Sequence, residues 1–195
     1  VNLFEEYPDV KVSADVTMES IDNVKERRLG LRARYQKSSC YEYLFSYEPK
    51  EAVFYLVLYR VNGGKRVELK QYTEGMILDK TGLEDLYMGT SYSLTLECVG
   101  NQLFMYFNGT LMDVYVDESA DVILNGSGSG WRAVNTSGCV ANFRVEEMST
   151  RTIKNITIPE ITGTMDLYQG FTLFPYDYMV QISYSDGTVV SKNMT

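Results

Sequence analysis

The stretch from Tyr92 to Met148 limits what this chain can fold into more than any other. In SYSLTLECVGNQLFMYFNGTL, apolar and polar residues alternate, and the alternation is cut at Gly100-Asn101 and at Asn108-Gly109. Alternation with a period of two sends successive side chains to opposite faces of a strand, and Gly and Asn supply the positive φ angles of a tight hairpin turn. A Gly/Ser-rich segment, NGSGSGW, follows, and then another alternating run, CVANFRVEEM. Short strands joined by tight turns are the material of antiparallel sheet.

The same period runs through the first 148 residues. Val12, Ala14, Val16 and Met18 share one face of 11–18. Leu29, Leu31, Ala33 and Tyr35 share a face of 29–35, opposite Arg32 and Arg34. Tyr41, Tyr43, Phe45 and Tyr47 share a face, opposite Glu42. Residues 52–60 are apolar on both faces, and 66–72 and 139–145 alternate again. Further turns are expected at Asn62-Gly63-Gly64 and Ser127-Gly128, and short helical turns fit only 19–28 and 81–88. Regular short strands with turn chemistry between them predict an all-β fold, a two-sheet antiparallel jelly-roll sandwich. After Met148 the texture changes, and 149–195 reads as a small C-terminal β appendage.

Charge and composition exclude several functions. The net charge is −8. Nucleic acid calls for a basic stripe, and an anionic membrane for a polybasic patch; neither partner is expected. No run reaches the length of a membrane span, so no membrane insertion is expected. The chain has no His, which removes the usual general base and a common zinc ligand. The three cysteines, Cys40, Cys98 and Cys139, match no metal or redox spacing and read as buried small hydrophobes. Tyrosine is abundant, with 16 residues. Its ring and hydroxyl suit half-buried strand faces and sugar-facing surfaces alike.

From about Asp9 to Glu147 the order of features resembles the concanavalin A-like (laminin-G-like) superfamily. The residues that carry the likeness are the early V-x-A-D-V strand, Gly30 to Arg34 (GLRAR), the aromatic Y-E-Y-x-F strand, a Y-x-L-x-L-Y-R strand, the Asn-Gly hairpin and the closing Asn142-Phe143-x-Val145. The nearest variety is the carbohydrate-binding modules of secreted bacterial glycoside hydrolases. The C-terminal segment weakly resembles a bacterial immunoglobulin-like repeat through Tyr168, Gly170, Tyr178, Val180 and Tyr184 to Thr188. The resemblance implies a jelly-roll domain over 1–148 and a C-terminal β segment over 149–195. It also implies an extracellular or cell-surface lectin-like module with a glycan partner and neighbouring domains in a larger protein. A protein-binding adhesion module or a spacer domain is the alternative.

Catalysis is not expected. Hydrolases that resemble this superfamily set paired carboxylates on one strand face in an E-x-D-x-x-E pattern, which this chain lacks. The candidates for sugar contact are Arg32 and Arg34 as forked donors, Tyr41, Tyr43 and Tyr55 as stacking rings, and Trp131 beside the Gly/Ser loop. Ca²⁺ is possible, as in many members of the superfamily. Asp113, Asp117 and Asp121 offer oxygen ligands along one stretch, though not at EF-hand spacing.

Overall fold

The computed structural model describes residues 9–19, 26–126, 128–148, 153–157, 179–184 and 189–193. The chain divides into two compact units, Val1–Met148 and Ser149–Thr195. The first holds β1 (Val10–Glu19), β2 (Arg27–Gln36), β3 (Ser39–Glu48), β4 (Val53–Asn62), β5 (Lys65–Thr73), α1 (Glu74–Thr81), β6 (Ser91–Val99), β7 (Gln102–Phe107), β8 (Thr110–Val116), β9 (Gly128–Val134) and β10 (Ser137–Glu147). They form two five-stranded sheets, β10-β1-β6-β7-β8 and β5-β4-β3-β2-β9, antiparallel throughout. This is a jelly-roll sandwich. The second unit holds one antiparallel sheet of β11 (Ile153–Thr157), β12 (Met179–Tyr184) and β13 (Val189–Asn193). Tyr168, Gly170, Tyr178 and 185–188, which carry the immunoglobulin-like resemblance, lie outside the described residues.

The inward faces obey the alternation. In β1, Val10, Val12, Ala14, Val16 and Met18 are buried while the residues between them are half-exposed. They meet Leu94 and Leu96 of β6 and Leu29 and Leu31 of β2 in one core. Phe45 stacks on Phe54 with ring centroids 5.0 Å apart and tilts against Tyr92 at 5.2 Å, which stacks in turn on Phe107. Side chains of this size stabilise a fold by about 1.5–3 kcal/mol each when fully buried. Among the described residues, no helix is long and apolar enough to cross a membrane.

Several local expectations are corrected. The helix spans 74–81, about two turns earlier than 81–88, and ends at Gly82, whose φ of 71° lets its N–H reach the Leu78 carbonyl. Within 19–28, Glu19 closes β1 and Arg27 opens β2, and 20–25 lie outside the described residues. Gly128 opens β9 instead of sitting in a turn, and Ser127 is outside the described residues. The β2–β3 turn is built from Lys37 and Ser38 at φ 44° and 71°. Neither residue advertises a tight turn in sequence.

Candidate functional site

The site is shaped by a break in the β2 alternation. Leu29, Leu31 and Ala33 point into the core, and Arg32 points to the outer face of the sheet. Strict alternation would send Arg34 outward after it. Instead Arg34 takes φ 53°, and the register with both neighbouring strands shifts after it. A β-bulge of this kind re-aims the side chains around it. Arg34 is fully buried. It donates to the carbonyls of Gly100 (2.6 Å) and Ile123 (2.8 Å) and pairs with Asp9 at 3.2 Å. The next residue, Tyr35, is 43% exposed. Gly126 passes directly over the bulge, where any Cβ would strike the Arg34 backbone.

On the outer face of this sheet an open hollow of about 410 Å³ lies at the end that carries the β2–β3 and β4–β5 turns. Tyr35 and Ser38 stand on one side, Val61 and Gly64 on another, and Cys40 contributes to the wall. Three guanidinium groups line it: Arg32 of β2, Arg66 of β5 and Arg132 of β9. All three converge on Glu42 of β3, whose side chain is fully buried beneath them. Arg32 lies 2.7 Å from Oε1 through Nη2 and donates to it through Nε at 2.8 Å. Arg66 Nε donates to Oε2 at 2.9 Å, and Arg132 Nη1 donates to Oε1 at 3.3 Å. Antiparallel pairing places Tyr59 beside Glu42, and the Arg28 and Arg66 guanidiniums lie over the Tyr59 ring at 5.2 and 5.8 Å. Arg32 lies over the Tyr35 ring at 5.7 Å.

The electrostatics follow from crowding three cations on one anion. Burial lowers the Arg132 pKa; Glu42 opposes this, and the facing Arg66 and Arg32 lower it further. The Arg132 Nε is buried without a hydrogen-bond partner. Burial, and then the Glu42 charge, push the Cys40 thiol up to about 11, so it stays protonated at neutral pH. Cys98 is likewise buried and free, but Cys139 is exposed, which corrects the expectation of three buried thiols.

The residues singled out from sequence are distributed unevenly. Arg32 lines the hollow. Arg34 does not; it is a buried structural group. Tyr41 and Tyr43 are fully buried as well, which corrects their assignment to a ligand surface. The Tyr41 hydroxyl donates to Asp117 at 2.7 Å, and the Tyr43 hydroxyl sits in the core without a partner. The aromatic face of β3 is thus the inner one. Tyr55 and Tyr59 do not join it; they pair opposite Ser46 and Glu42 on the outer face. Tyr55 sits farther along that face and bonds Glu51. Trp131 is 55% exposed, but it pairs with inward-facing Leu31, and the next residue, Arg132, is the one that lines the hollow.

The acidic candidates do not converge. Asp113 bonds Tyr72 and Lys70, while buried Asp117 bonds Tyr41, Arg60 and Ser119. Asp121 and Asn125 line a separate polar depression. Among the described residues, no three His, Cys, Asp or Glu side chains gather as a metal site. Sequence reasoning missed Tyr35, Arg66, Arg132 and the role of Glu42. The usable signal was Glu42 itself, an acidic residue in the middle of an aromatic strand. A charge there needs partners on the same face of the neighbouring strands.

No protein-family model matches the chain, and no curated protein matches it. Among solved structures it is similar to the carbohydrate-binding module CBM66 from Bacillus subtilis, at 16% identity over 73% of this chain and 77% of that one, with a TM-score of 0.53. It also aligns with sheep galectin-11, at 10% identity over 71% and 90% of the two chains (TM-score 0.45), and with chicken galectin 2, at 10% identity over 74% and 95% (TM-score 0.45). The likeness to CBM66 is one of fold, and agrees with the two antiparallel five-stranded sheets.

Proposed function

We propose that the first unit is a non-catalytic carbohydrate-binding module, part of a larger extracellular or cell-surface protein, and that it holds a glycan in the hollow over Glu42. The observation that carries this reading is the hollow itself. An exposed tyrosine ring and a cluster of forked donors share one solvent-open recess on the outer face of a jelly-roll sheet. Aromatic rings meet the C–H faces of sugars, and guanidinium forks meet their oxygen atoms. The printed name of CBM66, a carbohydrate-binding module, supports the same direction for a chain of this fold.

Binding without catalysis fits the same geometry. Glycoside hydrolysis uses two carboxyl groups about 5–9.5 Å apart across the scissile bond. Each of the three arginines that line the hollow bonds the same carboxylate, Glu42, which is buried and saturated by them. A carboxylate buried beneath three guanidinium groups does not reach a substrate's glycosidic bond.

A glycan array probed with the purified protein, with and without EDTA, tests the proposal. Specific binding that Tyr35→Ala weakens about tenfold, at unchanged thermal stability, is the expected outcome. Loss of binding in EDTA would add Ca²⁺ to the reading. A blank array on folded protein would overturn it in favour of a protein-binding or spacer role.

A further inference from the structure

Resting on that reading of the hollow, we propose that it selects an acidic sugar, a glycan residue whose carboxylate is gripped by Arg32, Arg66 and Arg132. The argument is one of matching donors to acceptors. A neutral sugar presents hydroxyls, each of which both donates and accepts, and sites for such sugars supply both kinds of group. This hollow is rich in donors: three arginines line it, and among its other lining side chains only Tyr35 and Ser38 carry an oxygen that can accept. Arg66 uses its Nε on Glu42 and Arg132 one Nη, so most of their remaining N–H groups have no protein acceptor, and the Arg132 Nε is buried without any partner. The acceptor these arginines share, Glu42, is already engaged from three sides. A neutral sugar's hydroxyl protons would find little to bond, which costs affinity. A carboxylate is an acceptor only, and its planar pair of oxygens fits a guanidinium fork.

Charge points the same way. Three guanidiniums around one carboxylate leave two uncompensated positive charges in the recess of a chain whose net charge is −8. The other charged groups nearby change this little. Arg28 is paired with Glu26, and Glu68, two residues from Arg66 on β5, is exposed to solvent and forms no ion pair with it. An anion entering the hollow would relieve the repulsion among the three cations. A local positive field on an otherwise acidic molecule also steers anionic ligands to one place.

The test compares matched ligands that differ only in charge. Galacturonate oligomers and their methyl esters, and glucuronate and glucose oligomers, are titrated calorimetrically against the whole chain, with dextran sulfate as a charge control. The expected result is binding of the free acids at least tenfold tighter than of the neutral partners. That preference should shrink as salt rises from 0.05 to 0.5 M. Arg66→Gln and Arg132→Gln should each lower affinity for the acids about tenfold or more, and affinity for the neutral partners by much less, so that the preference for the acids narrows. Both residues lie on outermost strands of the sheet, and thermal melts confirm that each variant is folded. Equal binding of acids and neutral partners would overturn the acidic preference while leaving the glycan reading standing. Equal or tighter binding of dextran sulfate would overturn recognition of a carboxylate in favour of bulk charge. Absence of binding to every saccharide would overturn both.

Discussion

Replacing Glu42 by Gln is the sharpest perturbation of this molecule, because it removes one charge and touches three strands. The Glu42 carboxylate is fully buried and meets guanidinium nitrogens at 2.7, 2.9 and 3.3 Å. Removing one partner of a buried ion pair costs about 3–5 kcal/mol, since the other charge is left uncompensated. Here the arginine side chains are 25–32% exposed, so water recovers part of that cost. A loss of about 2–3 kcal/mol is the reasoned figure. For a chain of this size that corresponds to a fall in Tm of about 5–10 °C. Urea unfolding followed by far-UV circular dichroism measures it. Trp131 is already 55% exposed, so its fluorescence would report the transition poorly. The sign of a double-mutant cycle gives the stricter check. In the Glu42→Gln background, Arg66→Gln should cost nothing or stabilise slightly, because it then removes a repelling cation. If the two single losses simply add, or if Glu42→Gln costs under about 0.5 kcal/mol, the three-on-one electrostatic account is wrong.

Other outcomes follow from groups away from the hollow. Burial alone would raise Asp117, but hydrogen bonds from Ser119, Tyr41 and Arg60 hold its carboxyl below the usual carboxylate range. The stability it contributes is present above the ordinary carboxylate pKa of about 4 and is lost as pH falls through its lower folded value. Asp117→Asn should therefore flatten the decline of the urea midpoint below about pH 5. With native protein and a thiol-reactive dye, Cys139 should react quickly while Cys40 and Cys98, buried and pushed up to about 11 and about 12, stay silent until denaturant is added. Gly126→Ala should destabilise the first unit by about 2 kcal/mol or more, since the new methyl overlaps the Arg34 backbone; a shift under about 0.5 kcal/mol in urea unfolding would refute that packing.

The sandwich was legible because most of its strands are half-buried. In β1 and β7 the alternation in sequence and the alternation in burial coincide residue for residue, and in β6 they part only toward its end, where Glu97 is buried too. The site was harder to read for two physical reasons. First, β3 and β4 are buried on both faces: Tyr41 and Tyr43 on one side, Glu42 and Leu44 on the other. Alternation names two faces but not which is the core, and the aromatic face was assigned to ligand when it belongs inside. Second, the bulge at Arg34 inverts the pattern for the residues after it, so an arginine that alternation sends outward is buried and a tyrosine that it sends inward lines the hollow. An arginine at positive φ, unlike the asparagine of an Asn-Gly turn, leaves no mark in sequence. Arg66 and Arg132, moreover, are 66 residues apart in the chain and meet only through the sheet.

That meeting has a structural consequence as well as a functional one. Strand β3 is the middle of its sheet, and β5 and β9 are its two edges. Glu42 on the middle strand bonds Arg32 on β2, Arg66 on one edge and Arg132 on the other. A single side chain therefore ties both edges to the centre across the outer face. Edge strands are the parts of a sheet most ready to fray or to pair with another molecule. The same three arginines would be the ligand's partners, so ligand and Glu42 draw on one set of donors. An acidic ligand can take the unused N–H groups without displacing Glu42, and bound this way it adds cross-links between the edges. Amide exchange in β5 and β9 should then slow on binding more than in β3, and equal protection of all three strands would show that ligand and clasp are independent.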